Sequence, residues 1–264
     1  MSFLTDEQDR LDGKKICEYA GNTIPLPELY ATIDSTNIRA KELAAIGALK
    51  GSAVLADAQT AGHGRYGRPF FSGAGQGLYM SVILRPALDF ALWPQLTSFA
   101  ALAVAESLEA LCPSLELQVK WVNDVYLQGK KLAGILCETV ISPNEEIPSA
   151  AIVGIGINLR GDLPDELQEI ACTLESACVP PSRNALAGEI IARLLQAEKE
   201  IASGAYLDRY RRRCFVLSKD VFVHEGGRIY EATVLDILDD ASLLIRLSNG
   251  DKKELRAGEV SIRV

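Results

Sequence analysis

The chain's 264 residues, 48% hydrophobic and 23% charged, suffice for one large domain, or a large domain with a small one, around a substantial core. Its formal net charge of −8 excludes a generally basic nucleic-acid-binding surface, so any such contact has to be local. No apolar run approaches the roughly 18 residues of a membrane span, and the start Met1-Ser2-Phe3-Leu4-Thr5-Asp6-Glu7 carries acid where a signal peptide carries positive charge, so a cytoplasmic protein is expected.

Asp34-Ser35-Thr36-Asn37 offers good N-cap residues, and Ile38, Leu43, Ile46 and Leu49 form an apolar stripe before Gly51, which predicts a helix of roughly three turns. The same cap is an array of hydroxyl and amide groups. Ser52 to Ala56 and Leu78 to Leu84 are short apolar runs rich in strand formers. Between them lies Gly62-His63-Gly64-Arg65-Tyr66-Gly67-Arg68, followed by Gly73, Gly75 and Gly77. Glycines let backbone N–H groups approach a ligand, and arginine supplies planar bidentate donors, so the segment reads as a phosphate-handling loop. The alternative is a flexible surface loop with solvated arginines. Gly62-x-Gly64-x-x-Gly67 also matches a dinucleotide fingerprint, but Pro69 and the following glycines forbid the helix that motif requires. No P-loop signature occurs.

Thr97 to Leu111, dense in Ala and Leu, predicts a buried helix. Leu115, Leu117, Val119 and Trp121 then alternate with Glu116, Gln118, Lys120 and Val122 as in a half-buried strand. Asn123-Asp124 interrupts it, and Gln128-Gly129-Lys130 predicts a hairpin turn into a strand from Leu132 to Val140. In the strand Ala151 to Leu159, Gly154 and Gly156 share a face, open either to a close-packed ligand or to a sheet bend or helix contact. From Ser182, the residues Leu186, Ile190, Leu194, Ala197 and Ile201 mark one long amphipathic helix. Arg209, Arg211, Arg212 and Arg213 read as a solvated face or interdomain linker rather than a nucleic-acid contact. Beyond them come short strands, Val221 to His224, Tyr230 to Ile237, Ser242 to Leu247 and Lys253 to Val264, with a turn at Asn249-Gly250, as in a small β-barrel. Cys17, Cys112, Cys137, Cys172, Cys178 and Cys214 are scattered, which argues against zinc and for reduced thiols. With only His63 and His224 and no nucleophile elbow, the chemistry falls to Lys, Arg and backbone.

Gly62 to Arg68, Lys120 to Asp124, Lys131 to Leu136 and Gly154 to Asn158 together resemble, in order, the four motifs of the biotin protein ligases. Those motifs are a Gly-Arg-Gly-Arg-x-Gly-Arg loop, a Lys-Trp-Pro-Asn-Asp strand end, a Lys-Leu-Ala-Gly-Ile-Leu strand and a Gly-x-Gly-Ile-Asn strand. The resemblance runs from about Asp34 through the C-terminal Arg256-Ala257-Gly258-Glu259-Val260. It implies an α+β fold: a mixed β-sheet with helices packed on one side, of the class II synthetase-like kind, over residues 1–213, and a C-terminal SH3-like β-barrel over 214–264. The implied reaction joins biotin to AMP from ATP with Mg²⁺, then passes the biotinyl group to a lysine of a biotin carboxyl carrier domain.

The resemblance also assigns residues. Lys131, Arg65 and Arg68 are implied to be catalytic. Ser35, Thr36, Asn37, Gln59, Gly62, His63, Gly64, Arg65, Lys131, Gly154 and Gly156 are implied to bind biotin; Arg65, Arg68, Phe70 and Asn158 the nucleotide; Asn123 and Asp124 the Mg²⁺. Read alone, Ser35 is equally a plain helix cap and Asp124 a turn cap. Three departures stand out: His63 for arginine, Val122 for proline and Phe70 for tryptophan. The 33 residues before Asp34 are expected to be too few for the DNA-binding module some family members carry. No DNA or membrane partner is therefore expected, and an edge-strand homodimer stays open. The rival readings are a lipoate-type ligase and a non-catalytic biotin or nucleotide sensor.

Overall fold

The computed structural model describes residues 9–141 and 148–262, so the acidic start through Gln8 and the last two residues of the Lys253 to Val264 run lie outside the described residues. Seven strands form the larger sheet: β1 (Glu28–Ile33), β2 (Ala53–Gln59), β3 (Gly77–Leu84), β4 (Gln118–Lys120), β5 (Asp124–Leu127), β6 (Lys130–Val140) and β7 (Ala150–Asn158). Their order is β1-β2-β3-β7-β6-β5-β4, with β1 and β2 parallel and every other pair antiparallel. The sheet is mixed, as expected. Gln128 and Gly129, at φ +50° and +81°, turn β5 into β6 as a two-residue hairpin that glycine makes accessible.

Alternation along β3 and β7 separates two faces. Leu78, Met80, Val82, Val153, Ile155 and Ile157 join the main core. On that side lie α3 (Gln95–Leu111) and α4 (Arg183–Leu194), with α1 (Gly13–Tyr19) packed on α4. The Ala-Leu run of α3 buries nearly every position, as its composition predicts. The other face carries α2 (Thr36–Ala45), whose Ala40 and Ala44 cover Val54, Ile83 and Ile152. Among the described residues α1, α3 and α4 thus lie on the main-core side, and α2 lies on the opposite face.

The helix begins at Ser35 as predicted, but its apolar stripe is corrected: Ile46 and Leu49 are exposed, and the buried residues are Thr36, Asn37, Ala40 and Ala44. Small and polar side chains allow the helix to sit close to the sheet. The long helix from Ser182 is also corrected, because α4 ends at Leu194 and α5 (Ala197–Ser203) starts after a break. Of the Leu115 to Val122 strand only Gln118–Lys120 enters a ladder, although Leu115, Leu117, Val119 and Trp121 are all buried.

The basic run forms a helix, α6 (Leu207–Arg213), not a linker. Arg209 reaches Glu106 at 2.9 Å and Glu200 at 2.5 Å, Arg213 reaches Glu109 at 2.7 Å, and Arg211 donates to the Ile237 carbonyl at 2.8 Å. After it, β8 (Asp220–Glu225), β9 (Arg228–Ile237), β10 (Leu243–Leu247), β11 (Lys252–Leu255) and β12 (Glu259–Ile262) form a five-stranded antiparallel sheet in the order β11-β10-β9-β8-β12. The last predicted strand is two, divided at Arg256 to Gly258. Val221, Val223, Val234 and Ile245 continue the main core, and the Trp121 indole donates to the Ala241 carbonyl at 2.8 Å.

Candidate active site

A cleft of about 430 Å³ opens on the α2 face of the large sheet. Its floor is the glycine side of β6 and β7, where Gly134 pairs with Gly156 and Leu136 with Gly154. A methyl group at Gly154 would lie 2.1 Å from Asn37 Oδ1. Glycine is therefore the only residue that leaves room for Asn37 to lie flat on the strand. Asn37 donates to Glu138 Oε2 at 2.9 Å, and its Oδ1 accepts from the Ser81 hydroxyl at 2.5 Å. Ser81 lies 2.8 Å from the Thr36 hydroxyl, and Gln59 Oε1 accepts from the Thr36 backbone N–H at 2.9 Å. Gln59 in turn donates to Ser72 at 3.0 Å. This is a connected polar network in a closed end of the cleft, with Ser35, Thr36, Asn37 and Ser81 buried. Burial opposes the charge of Glu138, but Lys41, at 2.5 Å, and Asn37 outweigh it, so its carboxyl titrates below the usual range.

The opposite end is charged. Lys131, the second residue of β6, meets Asp124 of β5 at 2.7 Å. Arg68 of the glycine loop meets Glu259 of β12 through two contacts of 2.8 Å, so the small sheet contributes a carboxylate to the rim. Burial acts against the Glu259 charge, but Arg68, with Lys120 and His224, outweighs it and holds the carboxyl low. Lys120 of β4 also lines this end. Asn123 donates to the Ile135 carbonyl at 2.9 Å.

Between the two ends lies Phe70. A methyl group at Gly156 would come within 2.4 Å of its ring, and Tyr79 meets that ring edge-on at a centroid distance of 6.5 Å. Asn158 is beyond it, donating to the Cys172 carbonyl at 3.3 Å. The segment after β7 closes this side: Lys131 N–H donates to Ile170 O and Cys172 N–H to Lys131 O, both at 3.0 Å, bringing Leu163, Leu167 and Ile170 to the cleft. Arg65 rests on the Tyr66 ring, 5.1 Å from its centroid, without a carboxylate partner among the described residues.

Every predicted site residue lines this cleft except Gly62. Gly62 is enclosed instead, since a methyl group there would lie 2.7 Å from Ser72 Oγ and 2.9 Å from Phe70 O. Lys120 and Glu259 also line the cleft, and Ser81 and Glu138 hold Asn37 from behind it; none of the four was singled out as a site residue from the sequence. Ser81 is the one polar residue within an apolar strand run, which was a usable signal.

Residues 29–158 match the model of the Biotin/lipoate A/B protein ligase family. The chain is 44% identical over 148 residues to the bifunctional ligase/repressor BirA of Bacillus spizizenii, over 55% of this chain and 45% of that protein. It thus spans about half the length of that curated relative. It is 32% identical over 246 residues to the biotin–[acetyl-CoA-carboxylase] ligase of Mycobacterium tuberculosis, covering 88% of this chain and 87% of that one. The chain belongs to the biotin/lipoate A/B protein ligase family. Within the family, the biotin protein ligase of Aquifex aeolicus, solved in complex with biotin and ATP, superimposes with a TM-score of 0.75 at 30% identity, covering 90% of this chain and 98% of that one. Among the described residues no helix is long and apolar enough to cross a membrane.

Proposed function

We propose that this protein is an ATP-dependent biotin protein ligase, which forms biotinyl-5′-AMP and transfers biotin to a lysine of a biotin carboxyl carrier domain. The observation that carries the reading is the single cleft joining a buried network of neutral donors and acceptors at Asn37, Ser81, Thr36 and Gln59 to a charged end at Lys131 and Arg68. The first suits a neutral, polar ring system; the second suits a carboxylate and a phosphate. Two like unit charges about 4 Å apart repel by roughly 4 kcal/mol at an effective dielectric near 20, so bringing a carboxylate onto the α-phosphate requires fixed cations. Lys131 is placed to leave Asp124 for that pair, Arg65 to leave Tyr66 for the adenylate, and Arg68 to add charge from the rim. No covalent enzyme intermediate is needed.

Phe70 and Asn158 are assigned to the adenine side, with Phe70 supplying an aromatic face. Asn123 and Asp124 are the residues that would help hold Mg²⁺. The Asn123 amide nitrogen donates to the Ile135 carbonyl, which leaves its Oδ1 as the ligating atom, and Asp124 meets Lys131; no cluster of three ligating side chains occurs among the described residues, so the other ligands would come from ATP. Mg²⁺ enters this reading as the ion carried by ATP. The ion-paired Arg209, Arg211 and Arg213 favour no DNA contact. A homodimer formed by strand addition would use β1 or β4, the two edges of the large sheet. Six free thiols support the cytoplasm as its location.

Mass spectrometry of the protein with biotin, ATP and Mg²⁺, with and without a carrier domain, tests the reading. A biotinyl-adenylate alone, and a biotinylated carrier lysine once acceptor is added, is the expected result. Lipoate competing equally with biotin, or binding without either product, would replace it with a rival.

A further inference from the structure

Behind the neutral groups at the closed end of the cleft stands a charge, the Glu138 carboxylate of β6, held by Lys41 of α2 at 2.5 Å. It decides how Asn37 is turned. Asn37 Nδ2 lies 2.9 Å from Glu138 Oε2 and 3.4 Å from the Leu136 carbonyl; both are acceptors only, so the nitrogen faces them and Oδ1 faces Ser81. The Leu136 contact is long, and the carboxylate supplies the stronger, charge-assisted bond. Ser81 Oγ has one proton and two neighbours, Asn37 Oδ1 at 2.5 Å and Thr36 Oγ1 at 2.8 Å. Asn37 Oδ1 has no proton to give, so it takes the Ser81 proton, and the Thr36 hydroxyl then donates to Ser81. Gln59 Oε1, 3.2 Å from the same hydroxyl, is already served by the Thr36 backbone N–H at 2.9 Å. Thr36, which lines the cleft, is left with lone pairs and no proton to offer a ligand.

We infer that Glu138 is a positioning residue for biotin, which sets the direction of the hydrogen bonds from Asn37 through Ser81 to Thr36 so that Thr36 Oγ1 meets a ring N–H of the ligand as an acceptor; the assignment rests on the ligase reading above. Glu138 itself is not among the residues that line the cleft, so it acts through the chain and not by contact. Each hydroxyl that donates toward the carboxylate becomes a better acceptor on its other side, which carries the influence of the charge two side chains outward. A neutral amide in place of Glu138 can present either its oxygen or its nitrogen to Asn37. The chain is then free to run the other way, with Thr36 offering a proton where the ligand also offers one.

The test compares the full-length wild type with Glu138→Gln, Thr36→Val, the two combined, and Lys41→Gln, at about pH 8, where carboxylates are ionised. Calorimetry reads biotin affinity, and single-turnover formation of biotinyl-5′-AMP at saturating biotin reads the chemical step. Glu138→Gln should weaken biotin binding roughly 3- to 10-fold, the range of one ordinary net hydrogen bond, with the saturated rate and the KM for ATP within about twofold of wild type. In the Thr36→Val background the same substitution should add less than about twofold, because its effect passes through the hydroxyl that valine lacks. Lys41→Gln, which removes the ion pair and keeps the acceptor, should leave biotin affinity within about twofold. Unchanged affinity in Glu138→Gln, a full further loss on top of Thr36→Val, or a saturated rate that falls as far as affinity overturns the assignment. So does an equal loss in Lys41→Gln, which marks a plain tether between α2 and β6. A wild type that binds no biotin sinks the ligase reading first, and this one with it; a wild type that forms the adenylate while Glu138→Gln matches it leaves the ligase reading standing and removes only this inference.

Discussion

Arg68, in the glycine loop, and Glu259, in the last strand, clasp each other through both guanidinium nitrogens and both carboxylate oxygens, 191 residues apart in sequence. The pair fixes the position of the loop against the small sheet. Its arginine is well exposed, so the contact contributes at most about 1 kcal/mol. The Glu259 carboxyl is held below its usual value of 4.5, with burial opposing and Arg68 prevailing. A lowered folded value means stability that is present above 4.5 and lost as pH falls through the folded value. Melting temperatures of wild type and Glu259→Gln should therefore differ most near neutrality and converge in acid; a gap that widens in acid would contradict this.

Lys131 lines the charged end of the cleft, paired with Asp124. Lys131→Ala should slow formation of biotinyl-5′-AMP by about 10²- to 10³-fold, the typical effect of removing a donor that meets developing charge. Rapid-quench measurement of the adenylate checks it, and a near-normal rate removes Lys131 from the catalytic set.

Gly154→Ala tests the floor of the cleft. The added methyl would meet Asn37 Oδ1 at 2.1 Å, and Asn37 is anchored by Ser81 and Glu138. Overpacking of about 1–3 kcal/mol should fall on the ligand site, weakening biotin binding roughly 5- to 150-fold in calorimetry. Retention of wild-type affinity would show that biotin does not rely on Asn37.

Ser81→Ala removes the donor to Asn37 Oδ1 and leaves a buried acceptor unsatisfied, at about 1–3 kcal/mol. Thermal stability and biotin affinity should both fall. Loss of stability alone would make Ser81 a core residue only.

Arg65 has Tyr66 as its resting partner, so its guanidinium is available to a bound phosphate. Arg65→Gly should leave adenylate formation measurable but shorten retention of the product on the enzyme, read by gel filtration of labelled biotinyl-5′-AMP. Equal retention in both proteins would count against the assignment.

The strands of the core were legible because β3 and β7 are continuous apolar runs and the Leu115 to Trp121 segment alternates strictly. α2 was legible by its cap and illegible by its face, because Thr36, Asn37, Ala40 and Ala44 bury little apolar carbon and only their contacts mark them as inward. β1 went unread since Glu28 to Ile33 is an edge strand of mixed polarity, half in contact with water. The site motifs named Arg65, Lys131 and Asn37, which line one cleft, whereas Glu259 joins it through a pairing with Arg68 that no local pattern encodes. The arginine run misled for a related reason: its partners Glu106, Glu109 and Glu200 lie on other helices.

The Trp121 indole bonded to Ala241, and the valines of the small sheet set into the same core as Val119 and Tyr210, bear on how such a protein could be rebuilt. A barrel transplanted from a relative would arrive with the wrong knobs for these sockets, so hybrid enzymes made by cutting after α6 should require matched changes on both sides of the seam. The C-terminal strands behave as a graft already healed into the trunk rather than as an interchangeable part.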